Sequence, residues 1–548
     1  MKSNLRLIFY SFWLVLQLFQ AAFTELSPDE AYYWMYSQHL SWGYFDHPPA
    51  IAFLIHLGTH VFSGELGVRL LPVLLGVFNL WLWEKIIGPK NIGSYFLLIT
   101  SVAIIHLYGI LATPDAALLV SVSAYLFVYR KFLDKPDFQT SLLLGLTMAA
   151  MLLSKYHGVL VIFFTLLSNF KLLKNKWYWF AGVFGIILLI PHLTWQVQAG
   201  FPSLQFHFFQ RISRAAYTFD LTTEYLLVQI FFLGPLTGIL FFISAYKQKV
   251  NSSFERTLKF LFWGTYVFFF LMTFKGKTEA HWTLIATLPA LYFGVKYFQN
   301  NAVLVKRIAI ISVPLLIAMR LLMAVDFGFQ KLKDPFKIFF NQERMTIIED
   351  QASGQPVAFM NSYQDASLYS FYASGNGFPL NNIRGRKSQF DLWKSEDLFR
   401  GDSVLVIPNY FQNNFDTIQF YNENIPNKWV ANFQSFTRLR VKSSTVKLEN
   451  QTNETANIEL VICDALNEDI LLEANPEMPV QLVFYVFKNK EIIHEQRLKT
   501  LSNTDLNQKL KVTIQMPDTP GKYAGYFAIG SGWLPPTLNG ENIEIIIH

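Results

Sequence analysis

Residues 24 to 49 hold four carboxylates, Glu25, Asp29, Glu30 and Asp46, and two histidines, His39 and His47, with no Lys or Arg among them. Carboxylates in such a loop supply a general base or ligands for a hard cation, and imidazoles contact phosphate or sugar. Aromatic residues are interleaved: Tyr32, Tyr33, Trp34, Tyr36, Trp42, Tyr44 and Phe45. Four further places set titratable groups beside apolar runs: Asp115; Lys155 with Tyr156; His207, Arg211 and Arg214; and Lys275, Lys277, Glu279 and His281. Ionisable groups are costly next to lipid and mark function there.

Ser27-Pro28-Asp29-Glu30 reads first as a helix start. Ser27 is the N-cap, Pro28 takes the first helical position and Glu30 closes a capping box. Thr113-Pro114-Asp115 repeats the device. Capping alone explains either motif, but two such starts on one face set two carboxylates beside positive helix ends, which also favour a phosphate. Asp46-His47-Pro48-Pro49 has two readings as well. It ends the loop ahead of an interfacial helix over 48–64, or Asp46 binds a divalent cation or orients an acceptor while His47 contacts phosphate or sugar. His207 is the candidate second metal ligand. Lys155 either snorkels or meets an anion. Lys277, with Glu279 as its partner, is expected to clamp a phosphate.

These side chains must be carried by membrane elements. Apolar residues make up 52% of the 548 and charged residues only 15%, with 53 Phe, so apolar runs have little to interrupt them. Such runs recur over 7–23, 65–87, 92–112, 115–132, 140–154, 157–171, 177–195, 222–246, 256–274, 281–297 and 307–325, which predicts about eleven spans. The first is read as a retained helix rather than a cleaved signal. The bases of the intervening loops then fall on one side, cytoplasmic by the positive-inside rule, and the acidic loops fall outside. That orientation accounts for the net charge of +6 without a nucleic-acid partner. One cysteine, Cys463, excludes an intrachain disulfide and a cysteine-built metal site.

The expected fold is therefore a mainly α transmembrane bundle over 1–325, with its catalytic outer loop at 24–64. A small extracytoplasmic α/β region follows at 326–436, then a β-sandwich-like region at 437–548. The soluble part alternates strand-like and helix-like pieces, then short strands with turn signals such as Asn539-Gly540.

The motifs resemble a known family. Asp29–Trp34, Gly43–Pro49, Thr113–Asp115, Ser154–Tyr156 and Glu279–Trp282 occur in the order found in the protein O-mannosyltransferase and lipid A aminoarabinose transferase superfamily, GT-C type, bacterial branch. The similarity runs over roughly residues 20–300. The resemblance implies sugar transfer from a polyprenyl-phosphate carrier at the outer face of the bacterial inner membrane. The implied acceptor is lipid A, another glycan or a protein. On that template Asp29 is the base and Asp115 the second acidic position, with Glu30 beside them in the catalytic motif. Asp46 stands where relatives carry a metal-associated carboxylate, and His47 replaces the lysine of aminoarabinose transferases.

The chemistry agrees with this reading. A carboxylate takes the acceptor proton as the oxygen attacks the anomeric carbon, and cations steady the leaving phosphate. Lys155, Arg211, Arg214 and Lys277 are the expected cations, His281 and Tyr156 join the phosphate contacts, and Tyr32, Tyr33, Trp34 and Trp42 are expected to stack on sugar. Single displacement inverts the anomeric centre. The rival reading, a flippase for a lipid-linked sugar, predicts paired charges at mid-bilayer and two-fold repeats, neither of which the sequence carries.

Overall fold

The computed structural model describes residues 2–207, 217–325, 338–464, 470–488 and 491–548. The chain divides into two units, one running through Asn341 and the other from Gln342 to His548. The division falls past the 325 expected from hydropathy.

The first unit is helical. Among the described residues five helices are long and apolar enough to cross a membrane: Asn4–Phe23, Gly64–Ile87, Pro114–Asp134, Lys176–Gln198 and Ala302–Ala324. A sixth is counted if the bent pair Phe219–Phe232 and Thr237–Lys247 is one span. Each of the eleven expected segments contains helix, but several are broken. The segment over 92–112 divides into Ile92–Thr100 and Ala103–Tyr108. The 219–247 pair turns by 92° at Gly234, whose φ of +125° suits a glycine. The two breaks meet, because the Thr237 hydroxyl donates to the Ser101 carbonyl at 3.1 Å. A carbonyl released by a helix break must find a donor inside a membrane unit.

Elsewhere the bundle closes through small residues. A Cβ on Gly145 would lie 2.4 Å from the Ala181 carbonyl, so glycine lets Phe138–Ser154 lie against Lys176–Gln198. Buried polar struts tie distant helices. Arg320, 4% exposed, donates to Gln17, Gln20 and His106 at 2.6, 2.8 and 2.8 Å. The first and last long helices are joined in this way. Arg6 reaches the otherwise buried Glu84 at 2.7 Å, and Lys296 pairs with Glu255.

The outer elements follow the motifs. Helix Pro28–Gln38 begins with the full Ser27–Glu30 capping box, and the short apolar helix Ala50–Thr59 lies where an interfacial helix was expected. Helix Pro114–Asp134 also starts at its proline, but the Thr113 side chain makes no cap hydrogen bond. The second motif is thus a proline start without a hydroxyl cap.

The second unit begins with helix Asn341–Ala352, whose first residue belongs to the other unit. Three parallel strands follow, in the order Gly377–Leu380, Val357–Met360 and Val404–Ile407. Glu423–Val430 and Asp416–Phe420 extend this sheet antiparallel. The parallel strands are buried throughout, as expected of strands covered on both faces. From Leu439 on, two mainly antiparallel sheets share one core, the larger with one parallel edge pair, Ile543–Ile547 on Lys447–Asn450. Leu439, Val441, Ile458, Leu460 and Ile462 of one pack with Leu482, Phe484, Phe527 and Ile545 of the other, a sandwich built on period-two alternation.

Candidate active site

Glu30 and Arg69 fix the geometry of the acidic loop. Both side chains are fully buried. Arg69 donates Nε to Oε1 and Nη2 to Oε2, each at 2.7 Å. Glu30 also accepts the Ala112 amide at 2.9 Å and the Ser27 amide and hydroxyl at 3.0 Å. Arg69 spends its other donors on the carbonyls of Ala21, Thr24 and Glu25. Burial works to raise the Glu30 carboxyl, and the Arg69 charge and these hydrogen bonds outweigh it, holding it below its usual value. Glu30, expected among the catalytic acids, thus has both oxygens committed within the protein, and its geometry is that of a strut.

Asp29, the adjacent residue on the same turn, is exposed. Its charge acts on Tyr108, as do those of Asp115 and Glu279.

Asp115 lies in the first turn of its helix, and Lys155 caps the C-terminal end of Phe138–Ser154. Each charge sits at the helix end that suits its sign. Lys155 Nζ donates to both Asp115 oxygens, at 2.8 and 2.7 Å, and His281 Nε2 stands 3.9 Å from Oδ2. Lys155 is therefore buried against an acid and does not snorkel.

His47 is the next neighbour. Its Nε2 is 2.9 Å from the Tyr33 hydroxyl, and its Nδ1 is buried without a hydrogen-bond partner. Burial pushes this imidazole down to about 3, helped by Lys155 and His207 and opposed by Asp46 and Asp115. The residue is neutral at physiological pH.

Asp46 and His207 do not form the expected metal pair. Asp46 Oδ1 accepts the Tyr36 hydroxyl at 2.6 Å, while His207 Nε2 meets the Asp46 backbone carbonyl at 2.9 Å rather than the carboxylate. Among the described residues no three His, Cys, Asp or Glu side chains converge as ligands. This donor set fits a protein-held divalent cation poorly.

The remaining expectations divide. Tyr156 accepts from Gln196 at 2.8 Å and lies 3.3 Å from His192, and its ring packs edge-on to His207. Lys277 is largely exposed, 4.0 Å from Glu279, so the two form a loose surface pair rather than a closed clamp. Tyr32, only 1% exposed, packs on Tyr33 and Tyr36 and is shut off from any sugar, whereas Trp42 is half exposed and Trp34 half-buried. Arg211 and Arg214 lie outside the described residues.

Sequence reasoning missed Arg69, Tyr108, His192 and Gln196. The signal for Arg69 was available: an arginine inside an apolar run needs a partner.

Comparison with known proteins bears on part of the constellation. Residues 46–195 match the family model described as dolichyl-phosphate-mannose-protein mannosyltransferase. The lipid A galacturonosyltransferase RgtD of Rhizobium johnstonii is 23% identical over 314 residues, 54% of this chain and 65% of that protein. The lipopolysaccharide core galacturonosyltransferase RgtA of the same organism is 26% identical over 184 residues, 31% of this chain and 37% of that protein. The chain thus spans less than two thirds of either relative. The crystal structure of ArnT from Cupriavidus metallidurans in the apo state aligns with a TM-score of 0.58 over 79% of this chain and 98% of that one. Over residues 46–195 the chain is similar to that mannosyltransferase family. With ArnT the likeness, at 12% identity, is one of fold. The matched span runs from Asp46 through Asp115, Lys155 and His192, so it covers much of the constellation but begins after Asp29 and Glu30.

Proposed function

We propose that this protein transfers a sugar from a polyprenyl-phosphate carrier to an extracytoplasmic acceptor, with inversion, at the outer face of the bacterial inner membrane. The N-terminus is then cytoplasmic and the β-rich unit extracytoplasmic, with about eleven helical segments in the membrane unit. The acceptor is a glycan, lipid A or a protein. The names of the two Rhizobium relatives make a uronic acid the first donor sugar to try and lipid A or its core the first acceptor.

One observation carries this reading. Asp29 stands exposed on a helix turn that the buried Glu30–Arg69 lock holds in place, and its charge acts on Tyr108 as does that of Asp115, the partner of Lys155. Asp29 takes the proton of the acceptor hydroxyl as that oxygen bonds to the anomeric carbon. The bond from anomeric carbon to phosphate oxygen breaks, and its electron pair leaves on the phosphate. Lys155 is the cation recruited to that growing charge, so the leaving group needs no general acid. Tyr33 and His47 line the sugar side, joined by Trp34 and Trp42.

The test is incubation of purified protein with radiolabelled polyprenyl-phosphate sugars, uronosyl donors included, and cell-envelope fractions. Label should move to envelope material with the wild type and not with Asp29→Asn. Failure with every donor, or full transfer by the variant, would sink the reading.

A further inference from the structure

Lys155 is poorly placed to serve a phosphate while it remains where it is. It gives hydrogen bonds to both Asp115 oxygens, and the two side chains keep only 6% and 5% of their surface exposed. Moving the ammonium onto a donor phosphate would strand a buried carboxylate, and that loss strongly opposes the move. A second cation at Asp115 removes the obstacle.

Two imidazoles act on Asp115, and they differ. His47 is desolvated, faces the charges of Lys155 and His207, and stays neutral. His281 stands with Nε2 3.9 Å from Asp115 Oδ2 and keeps 30% of its side-chain surface exposed, so water remains to solvate a proton on it. Its ring is 6.1 Å from Tyr108, which also feels Asp29 and Glu279, so its surroundings are acidic. Of the helices packed against its own short helix, Ala280–Ala286, Pro114–Asp134 brings Asp115 itself, and two others meet it through neutral groups. Gln229 contacts Ala280 and Thr283, and Tyr266 contacts Thr283. Lys155, on the same carboxylate, opposes a proton on His281, and the move takes that charge away.

We propose that His281 is the stand-in counter-ion of Asp115: a lipid phosphate draws Lys155 away, and His281 takes up a proton and closes onto the carboxylate. This rests on the lipid-phosphate reading above. His281 is then a positioning residue. It keeps Asp115 ionised and in place while Lys155 serves the phosphate. One proton enters from water as the phosphate binds and returns to water as it leaves.

The experiment is isothermal titration of the full-length protein in nanodiscs with farnesyl phosphate, in two buffers of different ionisation enthalpy. The wild type should take up about one proton per phosphate bound near neutral pH. H281N should take up none and bind about tenfold more weakly at mildly acid pH. H281K, with a cation already present, should bind like the wild type without uptake, and it keeps the test decisive where H281N fails to fold. Binding by the wild type without proton uptake, or equal uptake by H281N, overturns the proposal and leaves the transferase reading standing. If farnesyl phosphate does not bind at all, both are overturned.

Discussion

Asp29 and Glu30 are consecutive on one helix turn, yet Glu30 is sealed against Arg69 while Asp29 faces outward. A motif that reads as two acids is one acid and one anchor.

Asp29→Asn should therefore abolish chemistry without disturbing the fold. The expected loss in kcat is about 10²- to 10⁴-fold, the usual worth of a positioned base. Transfer assays beside thermal unfolding of the same preparation check it. A comparable fall in melting temperature would mean that Asp29 is structural.

Glu30→Gln should do the reverse and cost about 3–5 kcal/mol of stability, because it leaves Arg69 buried without its charge partner. Arg69→Met should cost a similar amount, and the double variant less than the sum of the two. The pH dependence follows from the depressed Glu30 value. Its contribution is complete above the usual carboxylate pKa and is lost as pH falls through the lowered one. Unfolding followed from pH 7 into the acid range should show it, and Glu30→Gln should flatten the acid limb.

His47, held near 3, should not contribute the acid limb of the pH–rate profile. Its folded pKa lies below the unfolded one, so the stability tied to its neutral form is present above about 6.5 and is lost only as pH falls toward 3. His47→Gln should alter donor KM and leave the shape of the profile between pH 5 and 8 unchanged. A shifted limb in that variant would assign the titration to His47.

In the second unit Glu396 accepts from the hydroxyls of Ser435 and Thr437 at 2.8 and 3.1 Å. Burial pushes it up to about 8. Here the sign is opposite: the stability of the protonated form is present below the usual pKa and is lost as pH rises toward 8. The melting transition of the unit should fall between pH 5 and 8, and Glu396→Gln should abolish that fall.

How much of this was legible depends on distance along the chain. The Ser27 capping box was, because its parts lie within four residues and obey a local rule. So were the placement of most helices and the β-rich second unit, since hydrophobic period reports burial directly. Arg69 on Glu30 and Lys155 on Asp115 were not, because 39 and 40 residues separate the partners and only packing joins them. The breaks inside the apolar segments escaped for a related reason. Hydropathy registers apolar length but not the breaks at Ser101 and Gly234, where side chains such as Thr237 take over backbone hydrogen bonds. Asp46 and His207 show the remaining limit: their approach is through a backbone carbonyl, which no side-chain motif encodes.

Arg320 gives the membrane unit an order of completion. The polar face of the first long helix, Gln17 and Gln20, finds its partner some three hundred residues later on the last one. A ribosome delivers the first helix long before that guanidinium exists. Until then the two amides must be met by water, by other helices or by a helper at the insertion site. The bundle is sealed only when its final span arrives, so a chain cut short before Arg320 would leave its first helix in the bilayer with polar groups exposed.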